Sequence, residues 1–294
     1  MLKLPAAELE LMNELGNSGT PFLFVIDFLG TRTHVWRREE IPAGVRFSVP
    51  LCRDAGGNVS LPAGDIPFVV RPVAEERYAI AFDKVMHHLR RGDTYLINLT
   101  MPTEIEVPLT LEQIYVNSNA PYRLLFDGEF VCFSPEIFIR INDRVISSYP
   151  MKGTIDASVP QAEEKIRDDL KEVSEHNTIV DLIRNDLSMV AEEVRVKRYR
   201  YIDRVESRQR VLLQVSSEIA GVIPEGRPLN IGSIMSAMLP AGSVTGAPKE
   251  KTVAILEQAE GYDRGYYTGV FGWFDGKNLD SGVMIRFIEQ HDGN

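Results

Sequence analysis

The sequence predicts an α+β fold, with antiparallel strands and helices in separate blocks, on three observations. The stretch "YRLLFDGEFVCFSPEIFIRINDRVISSYP" (122–150) reads as consecutive strands, and Asp127-Gly128 and Asn142-Asp143 suit tight turns between them. Segments with helical spacing stand apart from these runs, whereas a doubly wound parallel sheet would place one between every pair of strands. Finally, 44% of the 294 residues are hydrophobic, enough to bury a large core.

In chain order, "FLFVIDFLGTRTHVWRR" (22–38) is a hairpin turning at Gly30-Thr31, and "DAGGNVSLPAGDIP" (54–67) is an irregular connection. Tyr78, Ile80, Phe82, Val85, Met86 and Leu89 fall close to helical spacing, with Gly92 placed as a C-terminal cap. "TYLINLT" after it is strand-like. The spacing predicts one long helix over about 161–187 and a β-rich stretch over about 192–222. "PLNIGSIMSAMLP" reads as a helix, "AGSVTGAPKEKTVAILEQAE" as a loop feeding another, and "GYYTGVFGWFDGKNLDSGVMIRFIEQ" as a closing hairpin. No repeat or low-complexity segment breaks this pattern.

Composition removes several functions. A formal net charge of −10 argues against nucleic acid or an acidic membrane surface as partner, because phosphates need a basic field. Cys52 and Cys132 form no CxxC, and His34, His87, His88, His176 and His291 show no zinc spacing. A reducing cytoplasm is the expected location. The N-terminus is acidic where a signal peptide would be apolar, and runs such as "FLFVI" are too short to span a bilayer.

Four constellations carry chemistry. If Asn142-Asp143 is a two-residue turn, Ile141 faces Arg144, Glu136 faces Tyr149, and Lys152 lies just beyond, at the open end of the same hairpin. A carboxyl and an amine would then face one cavity; an exposed strand-end ion pair is the plainer reading of the same spacing. In "PAGSVTGAPK" (240–249), Gly242 and Gly246 permit close backbone approach to a ligand, and Ser243 and Thr245 add hydroxyls. Pro248 suits a first helical position, and the helix start favours an anion; the adjacent Gly-Lys-Ser/Thr of a nucleotide loop is missing. A tight loop-to-helix turn is the alternative.

The helix "SEHNTIVDLIRNDL" (174–187) sets Glu175, His176, Asp181, Arg184 and Asp186 among apolar residues, either as an ion-pair network or as ligands of a hard metal ion. Arg264, Tyr267 and Arg286 are expected on strands beside glycines. An arginine buried in the apolar run "VMIRFIE" would need an anionic partner, from the protein or from a ligand.

Taken together, "GDTYLINLT", "SPEIFI", "PMKGT", "EHNTIVDLIRNDL", "LLQVSSEIAG", "PAGSVTGAPK", "RGYYTGVFG" and "IRF" resemble the ordered motifs of the chorismate-utilising enzymes, most closely the synthase component of aminodeoxychorismate synthases. The resemblance implies two antiparallel β-sheets packed near-orthogonally and flanked by helices, as one chorismate-binding catalytic domain over 1–294 with a short N-terminal part (about 1–70). It also implies a Mg²⁺-dependent conversion of chorismate plus ammonia to 4-amino-4-deoxychorismate, toward p-aminobenzoate and folate. Ammonia would come from a separate glutamine amidotransferase.

Lysine at position 152 is the mark of the aminodeoxychorismate branch, where anthranilate synthases carry alanine. By resemblance, the Lys152 amine attacks C2 of chorismate and Glu136 is the general acid for the departing C4 hydroxyl. Glu175 matches a Mg²⁺ ligand, while Arg286, Tyr267, Ser243, Thr245 and Gly246 match residues that hold the substrate carboxylates. The residue types suit this chemistry, since hydroxide is a poor leaving group and requires a positioned acid. Lysine attacks only as the neutral amine, which at an unperturbed ~10.4 is about 4 molecules in 10⁴ at pH 7.

Departures from the family pattern also matter. Leu96 stands where isochorismate and salicylate synthases carry a water-activating lysine, which argues against both. Gln214 stands at a position often held by histidine, and Phe287 replaces a threonine. The chain stops at "IEQHDGN", before the glycine-rich segment and acidic helix that complete the family's metal site, so the C-terminal segment is expected to be missing. Two alternatives stay open: anthranilate synthase component I, and a truncated, inactive chorismate-fold protein.

Overall fold

The computed structural model describes residues 4–54, 56–57, 59–206 and 211–290; His291 lies outside them. Helix α1 (Ala6–Ser18) ends at Gly19 and leads into the hairpin β1 (Phe22–Ile26) and β2 (Thr33–Arg37). Next come β3 (Val45–Ser48), β4 (Val69–Arg71), α2 (Glu75–Arg91), β5 (Leu96–Ile97), β6 (Glu104–Glu106) and α3 (Leu111–Asn117). Five strands follow: β7 (Tyr122–Phe126), β8 (Phe130–Ser134), β9 (Ile137–Asn142), β10 (Val145–Ser148) and β11 (Met151–Asp156). Helices α4 (Ala162–Asp168) and α5 (Leu170–Ser188) precede the long strands β12 (Glu192–Glu206) and β13 (Val211–Val222). The rest is α6 (Ile231–Met238), α7 (Gly242–Thr245), β14 (Gly246–Ala247), α8 (Lys249–Glu260), β15 (Val270–Phe274), β16 (Leu279–Val283) and β17 (Phe287–Glu289).

Two antiparallel sheets dominate, as the α+β expectation requires. The larger runs β11-β13-β10-β9-β16-β15-β1-β2 with β12 also on β13, and the smaller runs β17-β8-β7-β3. Strand β1 shows why its sequence is continuously apolar. Phe22, Phe24 and Ile26 pack into a core that includes residues of α1, α5 and α6, while Leu23 and Val25 meet Tyr122, Leu124 and Phe130 of the smaller sheet. Both faces are covered, so alternation disappears. Each such side chain contributes roughly 1.5–3 kcal/mol by burial. The N-terminal hairpin is thus paired into the same sheet as the C-terminal one, through β1 on β15.

Two details differ from the sequence reading. The expected helix over 161–187 is broken at Asp169, whose carboxylate accepts the amides of Lys171 and Glu172 and so caps α5. The β9–β10 turn is centred on Asp143-Arg144, both at positive φ (45° and 64°), which a two-residue primed turn needs. Arg144 is held there by bonds to the carbonyls of Ile223 and Pro224. Ile141 therefore pairs with Ile146 rather than Arg144. The shift is even, so every side chain keeps its face.

Candidate active site

Strand β11 departs from the regular ladder at Lys152. Met151 pairs with Ser216 and Thr154 with Gln214, so Lys152 and Gly153 together oppose one residue of β13. This is a β-bulge, the device that re-aims a side chain out of strand alternation. Gly153 sits at φ 83°, and a Cβ there would lie 3.1 Å from Glu172 Oε2 of α5. Left-handed backbone under a packed helix calls for glycine.

Glu136 occupies the link from β8 to β9. Its amide donates to Ser134 Oγ (3.0 Å) and its carbonyl accepts from the Val283 amide (3.1 Å), which fixes the backbone on two sides. The Ser243 hydroxyl donates to Glu136 Oε1. Burial pushes the Glu136 carboxyl above its usual range, while the Ser243 hydrogen bond and then the charge of Lys152 pull it back. A carboxyl so placed holds its proton more tightly than a free one, as a general acid must.

A cavity of ≈ 20 Å³, room for about one water, is lined by Glu136, Ser148, Tyr149, Asp186, Gly242 and Ser243 among others. Lys152 does not line it. This small cavity therefore reaches Glu136 but not Lys152, which stands half-buried at the bulge. What joins the two residues is electrostatic: the Lys152 charge acts on Glu136 and on His176.

Helix α5 supplies polar groups that the sequence reading offered only as an ion-pair network or metal ligands. His176 is fully buried, with Nε2 2.7 Å from Ser217 Oγ and Nδ1 without a partner among the described residues. Burial, then the charges of Arg200 and Lys152, hold its imidazole at about 4, so it is neutral at pH 7. Asp186 lies on the same buried stripe and meets Lys249 Nζ at 2.6 Å. A histidine and an aspartate at core positions of an apolar helix stripe were the available signal.

The loop before α8 is built inward. The Thr245 hydroxyl is buried and donates to the Ala241 carbonyl (2.9 Å). Gly246, at φ 130°, pairs with Ile97 of β5, and a Cβ there would meet Leu96 O at 2.0 Å. A Cβ on Gly242 would lie 2.6 Å from Leu182 Cδ2. The close approaches that sequence assigned to a ligand are therefore made by the protein itself. Pro248 is the N-cap of α8 rather than its first helical residue. Gln214, half-buried on β13, stands opposite Thr154 and flanks the bulge.

Arg264 and Tyr267 lie in the turn before β15 rather than on strands. Arg264 is buried and bonds both Glu260 oxygens (2.8 and 2.6 Å), so its anionic partner is a protein carboxylate. Tyr267 is half-buried, its ring centroid 6.0 Å from that of Phe287. Arg286 corrects the buried-strand expectation: it is exposed, at a bend with φ 54°, between β16 and β17. The backbone leaves strand geometry there, which carries the guanidinium out of the apolar run.

Glu175 is half-buried on α5, next to His176, with Lys171 Nζ 3.7 Å from its carboxylate. Among the described residues no group of three or more His, Cys, Asp or Glu side chains is placed to hold a metal ion. One carboxylate is what these residues offer; Mg²⁺ accepts such a donor when substrate oxygens and water complete its shell. Among the described residues no helix is long and apolar enough to cross a membrane.

Comparison with known proteins places this geometry. A sequence profile described as "chorismate binding enzyme" matches residues 65–294. A protein of Haemophilus influenzae named "Uncharacterized PabA-like protein" is 48% identical over 287 residues, 97% of this chain and 86% of its own length. Aminodeoxychorismate synthase component 1 of Bacillus subtilis is 29% identical over 74% of this chain and 48% of its own. Anthranilate synthase component 1 of Archaeoglobus fulgidus is 30% identical over 75% and 55%. In fold, the menaquinone-specific isochorismate synthase of Escherichia coli superposes with a TM-score of 0.68 at 14% identity, covering 98% of this chain and 74% of its own. The chain belongs to the chorismate binding enzyme family, the chorismate-utilising enzymes, with aminodeoxychorismate synthase among its relatives.

Proposed function

We propose that the chain is the synthase component of an aminodeoxychorismate synthase, converting chorismate and ammonia to 4-amino-4-deoxychorismate and water. The observation that carries the reading is the bulge at Lys152-Gly153, which takes the lysine out of the regular ladder while its charge acts on a buried Glu136 whose carboxyl is pushed above its usual range. The comparisons alone favour neither amine-transfer branch, since relatives from both are about equally similar.

In the proposed sequence, the neutral Lys152 amine forms a bond to C2 of chorismate as the C4–O bond breaks. The Glu136 proton passes to the departing hydroxyl, giving water, and the new C2 ammonium returns a proton to the Glu136 carboxylate. Ammonia then forms a bond to C4 as the C2–N bond breaks, and the departing Lys152 amine takes the proton that the new C4 ammonium gives up. Arg286 and Tyr267 are proposed to hold substrate carboxylates, a guanidinium being suited to bidentate contact. Gln214 is proposed to line the substrate beside the bulge. Ser243 acts in this scheme by holding Glu136. Mg²⁺, proposed on the motif resemblance with Glu175 as a ligand, would supply charge neutralisation of a substrate carboxylate. A separate glutamine amidotransferase is proposed as the ammonia source, in keeping with relatives named as component 1.

The test is a product assay with chorismate, Mg²⁺ and ammonium, separating aminodeoxychorismate from anthranilate. Lys152→Ala should remove most aminodeoxychorismate, a loss on the order of 10²-fold or more for a covalent catalyst. Full turnover by the alanine variant would reduce Lys152 to a bystander, and anthranilate as the wild-type product would move the chain to the other branch.

A further inference from the structure

The geometry points to the Lys249–Asp186 pair as a positioning unit for Glu136: together the two residues hold the Ser243 loop against α5 and set the charge that Glu136 faces across the small cavity. The inference rests on Glu136 as the proton donor proposed above. Asp186 and Glu136 line the same cavity, as do Ser243 and Gly242. Lys249 Nζ lies 2.6 Å from Asp186 Oδ2 and donates to the Met238 carbonyl at 2.6 Å. One ammonium therefore ties the end of α6, the start of α8 and the last turn of α5. The segment that it clamps, from Met238 to Lys249, is the one that carries Ser243 to Glu136.

Both partners are shielded, with side-chain exposures of 14% for Lys249 and 9% for Asp186. Burial pushes the Asp186 carboxyl up and the Lys249 amine down, and each partner offsets the other's shift. A pair in this state presents no net charge to the cavity. Either partner alone would present one, in a setting where water screens it poorly. The other groups packed around Glu136 are the Ser243 hydroxyl on α7, Tyr149 before β11, and Lys152 on β11, with neutral His176 on α5. Ser243 is uncharged and already bonded to Glu136, and the Lys152 charge acts in wild type and variants alike, so neither reverses the sign of the shift.

The sign follows. Asp186→Asn leaves the Lys249 cation beside the cavity and should lower the midpoint at which Glu136 loses its proton. Lys249→Met leaves the Asp186 carboxylate and should raise that midpoint. The double variant removes both charges, avoids an orphaned buried ion, and should bring the midpoint back to the wild-type value. Opposed shifts on the order of one pH unit are expected for the single variants.

The measurement is the ¹³C-carboxyl NMR titration of Glu136 in the full chain, with folding of each variant checked by circular dichroism, alongside the pH profile of chorismate consumption. The NMR titration reads the pair whether or not aminodeoxychorismate is the product, so failure of the proposed reaction and failure of this inference separate. A protein that consumes no chorismate but shows opposed shifts would count against the reaction alone. Midpoints that coincide in all four folded proteins, or that move in the same direction in both single variants, would overturn the inference. If a single variant fails to fold, the surviving single variant against the double one decides it by the same sign.

Discussion

Arg264 and Arg286 look alike in the sequence, each close to glycines, aromatic or apolar residues, and their fates in the fold are opposite. Arg264 is buried and every guanidinium N–H has a partner: Glu260, the carbonyls of Val244 and Asn98, and Thr268 Oγ1. It lies over the Phe28 ring, 4.5 Å from the centroid. Arg286 is exposed at a left-handed bend, with no ion-pair or side-chain hydrogen-bond partner among the described residues. A buried guanidinium must be fully satisfied or the fold is destabilised. An exposed one is free to meet a ligand. The difference separates a closed side, where Glu136, Ser243, Asp186, Lys249 and His176 are bonded to other protein groups, from the open side that Arg286 is proposed to form.

The largest effect should come from breaking the satisfied arginine. Glu260→Ala strands Arg264 and also removes the acceptor of Thr100, and a buried pair broken on one side costs about 3–5 kcal/mol. Urea unfolding should show that loss; a cost below about 1 kcal/mol would show that the Arg264–Glu260 pair is not a main support of the fold.

Next in size is a pH effect on stability. His176 has a folded value held at about 4, below the ordinary 6.5, so the folded state resists a proton that the unfolded chain accepts. Its contribution is complete above pH 6.5 and is lost as pH falls toward 4, on the order of 2–3 kcal/mol. With chelator present, Tm should fall over that window, and His176→Asn should flatten the slope. Equal slopes in the two proteins would show that the histidine is not the group responsible.

Ser243→Ala should act on rate rather than fold. The Ser243 hydroxyl stabilises ionised Glu136, so its loss should move the alkaline limb of turnover upward, by up to about one pH unit. A limb shifted downward would mean that the hydroxyl serves another group. Smallest in stability terms is Arg286→Ala, expected within about 0.5 kcal/mol of wild type because nothing in the described fold depends on it. Its effect should appear as a raised KM for chorismate, and an unchanged KM would remove it from the open side.

The sheets were legible because their signals are local. Asp127-Gly128 marks a real turn, with Gly128 at φ 74°, and the apolar runs of β1 and β15 pair as neighbouring interior strands of the larger sheet. What escaped was the geometry set by neighbours. The bulge at Lys152-Gly153 depends on how β11 meets β13 and α5, which no residue in "PMKGT" announces beyond its glycine. Asp143-Arg144 takes the turn because distant carbonyls hold the arginine. Motif order singled out Glu136 and Ser243, which the fold joins by a hydrogen bond, but it did not show that Gly246 and Thr245 are packed against the protein's own backbone.

The central claim is that Lys152 is a nucleophile poised beside the acid Glu136. Intact-protein and peptide mass spectrometry of wild type, incubated with chorismate and Mg²⁺ but no ammonia, tests it directly. The account predicts a covalent adduct of chorismate less water on the Lys152 peptide, absent from Lys152→Ala and discharged by adding ammonium. Turnover of chorismate to aminodeoxychorismate without any such adduct, or with full rate in the alanine variant, would contradict it.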